Sequence, residues 1–454
     1  MTPLKAMNTR SVAESSAPLS HLYQRLLTLG DEPPIELSRV FLHQQLQEVE
    51  PAAQRLPTEF NQLMAWVEDH CAQVARQYAD YLQARQQGGG RRYLSGRAHA
   101  LYFLQAVAPT KRVDGAWLYG TLKHWQDYRY DGLITTYLEE LGEGEVGLNH
   151  VALYRRLLAE EDCEGDLQLS DEHYRQGVIQ LALGHAAESF MPEVLGYNLG
   201  YEQLPLHLLI CAYELRELGI DPYYFTLHVT IDNVSSGHAR KAVQAVTELA
   251  PIGLDADSYW QRVACGYQLN NLGLGTLEVI QSFDLEREVV AMLERKQRAG
   301  RYLHSDRCRF EGKTVNQWLE QTGCISSFLQ ALQDTGWIRR HENPQESRFW
   351  RLIEGRGAAM FGVFSGYEKQ LLKDWISGRW QAPASPVRGG SVCRGATMEQ
   401  QEDPETCALR QILKRYPPEQ QIDVLLPWLS APRHSRPAGL FAARHFMDLR
   451  ARMR

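Results

Sequence analysis

Apolar residues recur at three- and four-residue spacing through most of the chain, and the alternating pattern of a half-buried strand is almost absent before residue 330. The stretch from Gln203 to Leu218 shows the rule. Leu204, Leu208, Cys211 and Leu215 fall on one helical face, and Gly219 followed by Asp221-Pro222 stops the run. A different pattern begins at SSFLQALQDTGWIRRHENPQESRFWRLI (326–353), where an apolar helix reaching Gly336 precedes two short aromatic and β-branched runs around an Asn-Pro turn. That order predicts a helix with a hairpin wing, a shape found in DNA-binding winged helices and in plain packing modules. No internal repeat or sustained heptad is present. Three polar or glycine-rich breaks divide the chain: the leader to about residue 18, QARQQGGGRR (83–92), and the segment 385–405. Such stretches cannot offset the entropy of ordering, so they read as linkers or mobile loops. The predicted organisation is all-α: an N-terminal helical extension (1–92), a central helical domain (93–300) and a C-terminal accessory domain (301–454) with a mobile loop at 385–405 and the helix-plus-hairpin element.

At 454 residues the chain exceeds what one core usually fills. A net charge of -7 leaves no basic surplus for a phosphate backbone, and no clustered basic recognition helix accompanies the wing pattern, so nucleic acid is not the expected partner. Eight cysteines occur without a CxxC pair, which removes zinc knuckles and dithiol motifs and suggests reduced thiols. No apolar leader region and no run of about 18 uncharged apolar residues is present, so the expected setting is cytoplasmic, away from membranes.

Three segments concentrate polar chemistry in apolar surroundings. In FTLHVTIDNVSSGHARKAV (225–243), His228 and Asp232 stand four apart and share a helical face, where imidazole and carboxylate suit a non-haem iron ion. His238 lies ten beyond His228, about 80° away on a regular helix, and Ser235-Ser236-Gly237 is where a bulge or break can swing it back. The bland reading is a kinked helix with a core histidine. In TTYLEELGEGEVGLNHVALYRRLL (135–158), Glu139 and Glu140 end a helix, glycines at 142, 144 and 147 open the chain, and His150 starts the next. A solvated acidic turn explains that segment equally well when it is taken alone. LGHAAESFMPEVLGYNLGYEQLPLH (183–207) adds Glu188, Glu193 and Glu202, which as isolated acids on an apolar helix usually find salt bridges. His185 with Glu188 reverses the order of the ferritin-type pair and carries little weight.

Taken as a set, residues 95–245 resemble the haem-oxygenase-like di-iron oxidase and oxygenase superfamily, often labelled iron-containing redox enzymes. The likeness rests on Glu140 ten before His150, a later helix-end carboxylate, and His228-xxx-Asp232 followed by a histidine. It implies a seven-helix haem-oxygenase-like bundle. It also implies that Glu140 and His150 hold one iron, that Glu202 is shared, with Glu188 or Glu193 as substitutes, and that His228, Asp232 and His238 complete a second. The family reads HxxxDxxH, whereas position 235 here is serine. A further carboxylate is expected before Glu140, and Asp114, 26 residues upstream, is the candidate, although a turn or cap role suits an aspartate as well. The implied cofactors are Fe(II), two per chain, with dioxygen as co-substrate. The implied reaction oxidises an amino-acid-like or fatty-acid-like small molecule in specialised metabolism, by N-oxygenation, desaturation or oxidative C–C cleavage. Trp117, Tyr119, Tyr197, Tyr224 and Phe225 are the expected cavity walls. An external electron donor and a homodimer are partners that the resemblance leaves open. Competing readings are a genuine haem oxygenase, a metal-free thiaminase-like hydrolase using Cys211 or Cys265, and a non-enzymatic binding or regulatory protein. The region after residue 300 is assigned to packing, dimerisation or a lid.

Overall fold

Helix boundaries follow the apolar periodicity closely in the middle of the chain. The computed structural model describes residues 18–454 apart from 29–33, 50–55, 58, 166, 232–236, 252–254, 356 and 381–402. The polar leader and most of the 385–405 segment therefore lie outside the described residues. The longer helices in order are α1 (Leu19–Leu27), α2 (Ile35–Glu48), α3 (Leu63–Gln86), α4 (Arg97–Ala106), α5 (Asp131–Glu140), α6 (His150–Glu160), α7 (Glu172–Tyr201), α8 (Leu206–Glu217), α9 (Tyr223–Ile231), α10 (His238–Glu248), α11 (Ala256–Gln268), α12 (Leu285–Gly300), α13 (Ile325–Asp334), α14 (Gly366–Ser377), α15 (Pro404–Leu413) and α16 (Pro437–Met453). Among the described residues the only sheet is a two-stranded antiparallel pair, Arg309–Phe310 with Lys313–Thr314. The fold is the all-α, haem-oxygenase-like bundle that the periodicity and the resemblance predict.

Helix α7 is enclosed over most of its length, with Gly177–Gly184 and Glu193–Leu199 buried throughout, as suits a helix with neighbours on several sides. It packs against α1, α2, α10, α11 and the 3-10 stretch Ala116–His124. Its axis bends where Ala186 and Phe190 leave helical geometry just before Pro192, whose ring and missing N–H break the hydrogen-bond ladder. This helix centres the first apolar core, which also takes residues from α1 to α3, α5, α10, α11 and the C-terminal segment Leu409–Leu449. A second core joins Leu94–Ala108, Leu153–Leu158, α8, α9 and residues 279–376. The stretch after residue 300 is thus shared, with 310–376 entering the second core and 409–449 returning to the first.

Two local expectations change. The wing is not where the aromatic runs suggest, because Arg348–Ile353 forms a helical turn burying Trp350 and Ile353, whereas the hairpin lies upstream at 309–314. Alternation over so few residues does not separate a strand from one turn of helix. The 83–92 break begins inside α3, and the chain beyond it is tied down: buried Glu214 accepts the backbone N–H groups of Arg92, Tyr93 (3.1 Å) and Leu94 (2.7 Å) and the Tyr81 hydroxyl (2.9 Å). A buried carboxylate satisfied by four donors fixes a loop that composition alone marks as loose.

Candidate metal centre

A folded-back loop makes the first part of the site. Helix α5 ends at Glu140, and Gly142 turns the chain at φ 64°, where a Cβ would stand 2.3 Å from the backbone nitrogen of Asn149. Only glycine accepts both the torsion and the contact. Asn149 then caps α6, accepting Ala152 N–H (3.0 Å) while its amide donates to Leu141 O (3.1 Å) and approaches His434 Nδ1 (3.1 Å). His150 is the first residue of α6 and stands over the end of α5. The ten-residue spacing between Glu140 and His150 is the length of this loop. Asp114 joins from another direction: Gly115, at φ 80°, lies so close that a Cβ would come within 2.9 Å of Glu140 Cβ.

The remaining donors come from helix ends. Helix α9 carries His228, whose Nδ1 donates to Tyr224 O (2.8 Å) and whose Nε2 faces Asp114 Oδ2 at 3.5 Å. Helix α9 is described as far as Ile231 and α10 starts at His238; residues 232–236, which hold most of the expected bulge or break, lie outside the described residues. Asp232 lies outside the described residues. Glu202 caps the C-terminus of α7.

Asp114, Glu140, His150, Glu202, His228 and His238 are all at least 95% buried. The His150 and His228 ring centroids are 4.6 Å apart. Potential ligand atoms of Asp114, Glu140, His150 and His228 lie within 4.8 Å of one another, as do those of Glu140, Glu202 and His238. Glu140 is common to both groups, Oε2 facing His150 Nδ1 (2.5 Å) and Oε1 facing His238 Nδ1 (3.6 Å). This partition differs from the expected one, which shared Glu202 and separated His150 from His228. Glu202 Oε2 lies 3.0 Å from His238 Nδ1. Glu188 and Glu193 are elsewhere, paired with Lys123 (3.0 Å) and Arg262 (2.6 Å), and His185 faces Leu26 O (3.3 Å).

Several supporting groups were not singled out as such by the sequence. Tyr201 donates to Asp114 Oδ1 (2.8 Å) and Tyr224 to Oδ2 (2.5 Å). Burial, then the charge on Asp114, keep both phenols protonated well above their ordinary value. Burial works to raise the Asp114 carboxyl, but Lys111, His228 and His150 outweigh it and hold it well below the usual range. His238 Nε2 meets Glu139 Oε2 (2.8 Å), which also takes Lys241 Nζ (2.6 Å). A carboxylate on the outer nitrogen of a histidine fixes its tautomer and aims the inner lone pair, here Nδ1 toward Glu140 and Glu202. Neighbouring Glu139 and Glu140 thus face opposite sides of one imidazole. His434, brought by the C-terminal region, is the last: burial, then Arg155 and His150, lower it to about 3, so it stays neutral.

A cavity of about 290 Å³ reaches His228, with Phe103, Lys111, Tyr201 and Phe225 among its walls. Of the five aromatic residues expected there, Phe225 alone lines it. Trp117 and Tyr197 are fully buried in the first core, Tyr119 lines a smaller cleft, and Tyr224 serves Asp114.

These residues fit a metal ion. Three carboxylates are buried together, and an ionised carboxylate left unpaired in a protein interior costs several kcal/mol, so the cluster calls for more positive charge than Lys111 and Lys241 bring. The Glu140 Oε2 and His150 Nδ1 atoms are 2.5 Å apart yet fail the angles of a hydrogen bond, as two atoms do when both aim at a third point. Mixed imidazole and carboxylate donors suit iron. Residues 101–271 match the family model described as iron-containing redox enzyme. The likeness to iron-containing redox enzymes extends over that span, less than half of the chain. Every residue of both donor groups falls inside it. No curated protein and no solved structure matches the chain. Both donor groups are buried, and no helix among the described residues is long and apolar enough to cross a membrane.

Proposed function

We propose that the chain is a non-haem di-iron oxidase or oxygenase that uses dioxygen to oxidise an amino-acid-like or fatty-acid-like small molecule, by N-oxygenation, desaturation or oxidative C–C cleavage. The observation that carries this reading is the pair of donor groups hinged on Glu140. Asp114, Glu140, His150 and His228 would hold one ion, and Glu140, Glu202 and His238 the other, with Asp232 an expected addition. Iron held there supplies the redox couple that dioxygen activation requires.

The chain's own groups set the conditions. Tyr201 and Tyr224 fix both oxygens of Asp114, leaving a second lone pair on each. Glu139 orients His238, and the neutral His434 braces the Asn149 cap that places His150. The apolar cavity wall brings substrate to the His228 side and keeps water away from it. The metal-free hydrolase is the weaker reading because burial, then Glu214, push the Cys211 thiol far above its ordinary value, and burial raises Cys265 as well. Neither is an activated nucleophile.

The test is anaerobic loading of the full chain with Fe(II), followed by iron analysis and dioxygen uptake in the presence of an external reductant. The reading expects about two irons per chain and uptake that Glu140→Gln abolishes. Iron-free protein, or uptake unchanged in that variant, contradicts it.

A further inference from the structure

Three arginines from separate segments gather behind the first donor group. Arg112 follows the helical turn Ala108–Lys111 and leads to Asp114, Arg155 lies on α6 five residues after His150, and Arg436 stands just before α16, two residues after His434. Arg155 donates from Nη1 to Ser435 Oγ (3.0 Å), which joins two of these segments. Partial burial, then the charges of Arg112 and Arg436, hold Arg155 below its ordinary value, so the three guanidiniums act on one another. One carboxylate stands against them. Glu164 comes 3.6 Å from Arg112 Nη2, too far for a hydrogen bond, and its side chain is more than half exposed. No other acid among the described residues comes within ion-pair distance of the three.

The same cluster holds donors that no described residue accepts. Tyr23 Oη and Arg112 Nε are buried and without a hydrogen-bond partner. Tyr23 is 4% exposed, and its ring is wedged between α7 and the Ala108–Lys111 turn, since a Cβ on Gly177 would stand 2.7 Å from Tyr23 Cε2 and 2.6 Å from Pro109 O. Burial raises this phenol against the pull of Arg112 and Arg155, so it is a neutral donor beside both cations. Helix α16 adds its positive end. Its first turn holds Pro437 and no acid, no described side chain caps it, and the N–H groups of Ala438 and Gly439 find no acceptor among the described residues. A buried hydroxyl left unpaired and like charges held together both disfavour the folded chain, and one strongly charged acceptor relieves both.

We infer that this cluster binds a phosphate group, carried by inorganic phosphate or by a small phosphomonoester, with Arg155 and Arg436 at the open rim and the Tyr23 hydroxyl at the floor. A carboxylate brings one charge and two oxygens, whereas a phosphate brings about two charges and three or more oxygens, the better match for three guanidiniums and a hydroxyl. Arg155 and Arg436 are exposed, and none of these residues lines the cavity at His228, so the ligand has its own way in. The segments that supply the arginines also carry Asp114, His150 and the His434 brace. A phosphate bound across them would hold the first donor group in place; this consequence, unlike the site itself, rests on the metal reading above.

Calorimetric titration and thermal melting of the full, chelator-treated chain with sodium phosphate and with methyl phosphate, against sodium chloride at equal ionic strength, test the site. At least one of the two phosphates should bind saturably and raise the melting temperature where chloride does neither; binding of both assigns the site to the free ion as well, and binding of methyl phosphate alone assigns it to a phosphomonoester. Arg155→Gln should weaken binding at least about tenfold, as loss of a hydrogen bond to a charged group does, and Tyr23→Phe about threefold. Binding of neither phosphate, a melting temperature that chloride raises as much, or affinity unchanged in Arg155→Gln overturns the inference; the wild-type comparison decides even if a variant misfolds. Titration with Fe(II) then separates the two readings. Methyl phosphate should tighten iron binding by about fivefold or more, and equal iron affinity with and without it overturns the link to the donor group. Phosphate binding in a chain that takes up no iron overturns the oxidase alone, and iron uptake without phosphate binding overturns the phosphate site alone.

Discussion

The two donor groups differ in what lies behind them. The group of Asp114, Glu140, His150 and His228 is backed mainly by neutral, buried partners, namely two tyrosine hydroxyls, the Tyr224 carbonyl, and the Asn149 cap with its neutral His434, with the half-buried Lys111 cation behind Tyr201. It meets the cavity through His228. The group of Glu140, Glu202 and His238 is backed by a direct ion pair, Glu139 with Lys241, whose side chains are 31% and 21% exposed. One ion is therefore expected to face substrate and the other to face an ionic support open to solvent. Buried hydrogen-bonded supports are little affected by salt, whereas a partly exposed ion pair is screened.

The largest effect should come from removing what the groups share. Glu140→Gln is expected to lose both irons and all dioxygen uptake, read by elemental analysis; loss of one alone would show that the bridge lies elsewhere. Next, His150→Ala and His238→Ala should each remove about one iron, the first abolishing the response of uptake to substrate. Smaller changes should follow in the supports: Glu139→Gln and His434→Ala should weaken iron binding on the order of 10–100-fold, as outer partners of ligands do. The comparison sharpens if only the Glu139 variant leaves the first ion at wild-type affinity. Glu188→Gln, which breaks a half-exposed pair with Lys123, should change stability by less than about 1 kcal/mol and leave iron content alone.

The C-terminal region belongs to the same contrast. Tyr137 donates to Leu429 O (2.6 Å), Arg444 to Gly144 O, and His434 meets Asn149, so residues 429–444 clamp the loop between Glu140 and His150. Of the roles open to the tail, packing is the one these contacts support. A chain cut after residue 300 should therefore lose iron and show a lower melting temperature, by exposing apolar residues of both cores.

What could be read in advance follows from physical range. Helices such as α8 were legible because periodicity and the Gly219 stop are local signals. The Glu140 and His150 pair was legible because a glycine-rich turn joins a helix end to a helix start. Which donors lie together was not, since it depends on α9 crossing α6 near Asp114, a contact between distant segments. Lys111 and His434 carry no motif at all, and their roles exist only after packing. Glu139 had a signal that could have been used: two adjacent acids at a helix end near a histidine offer one for each ring nitrogen. The cavity walls were misjudged because nearness in sequence to a ligand does not decide which side of a helix a ring occupies.

The most direct measurement is anomalous scattering at the iron edge from crystals of the Fe(II)-loaded chain. The account predicts two peaks on either side of Glu140, one among Asp114, His150 and His228 and one between Glu202 and His238. A single peak, or density remote from Glu140, would contradict it.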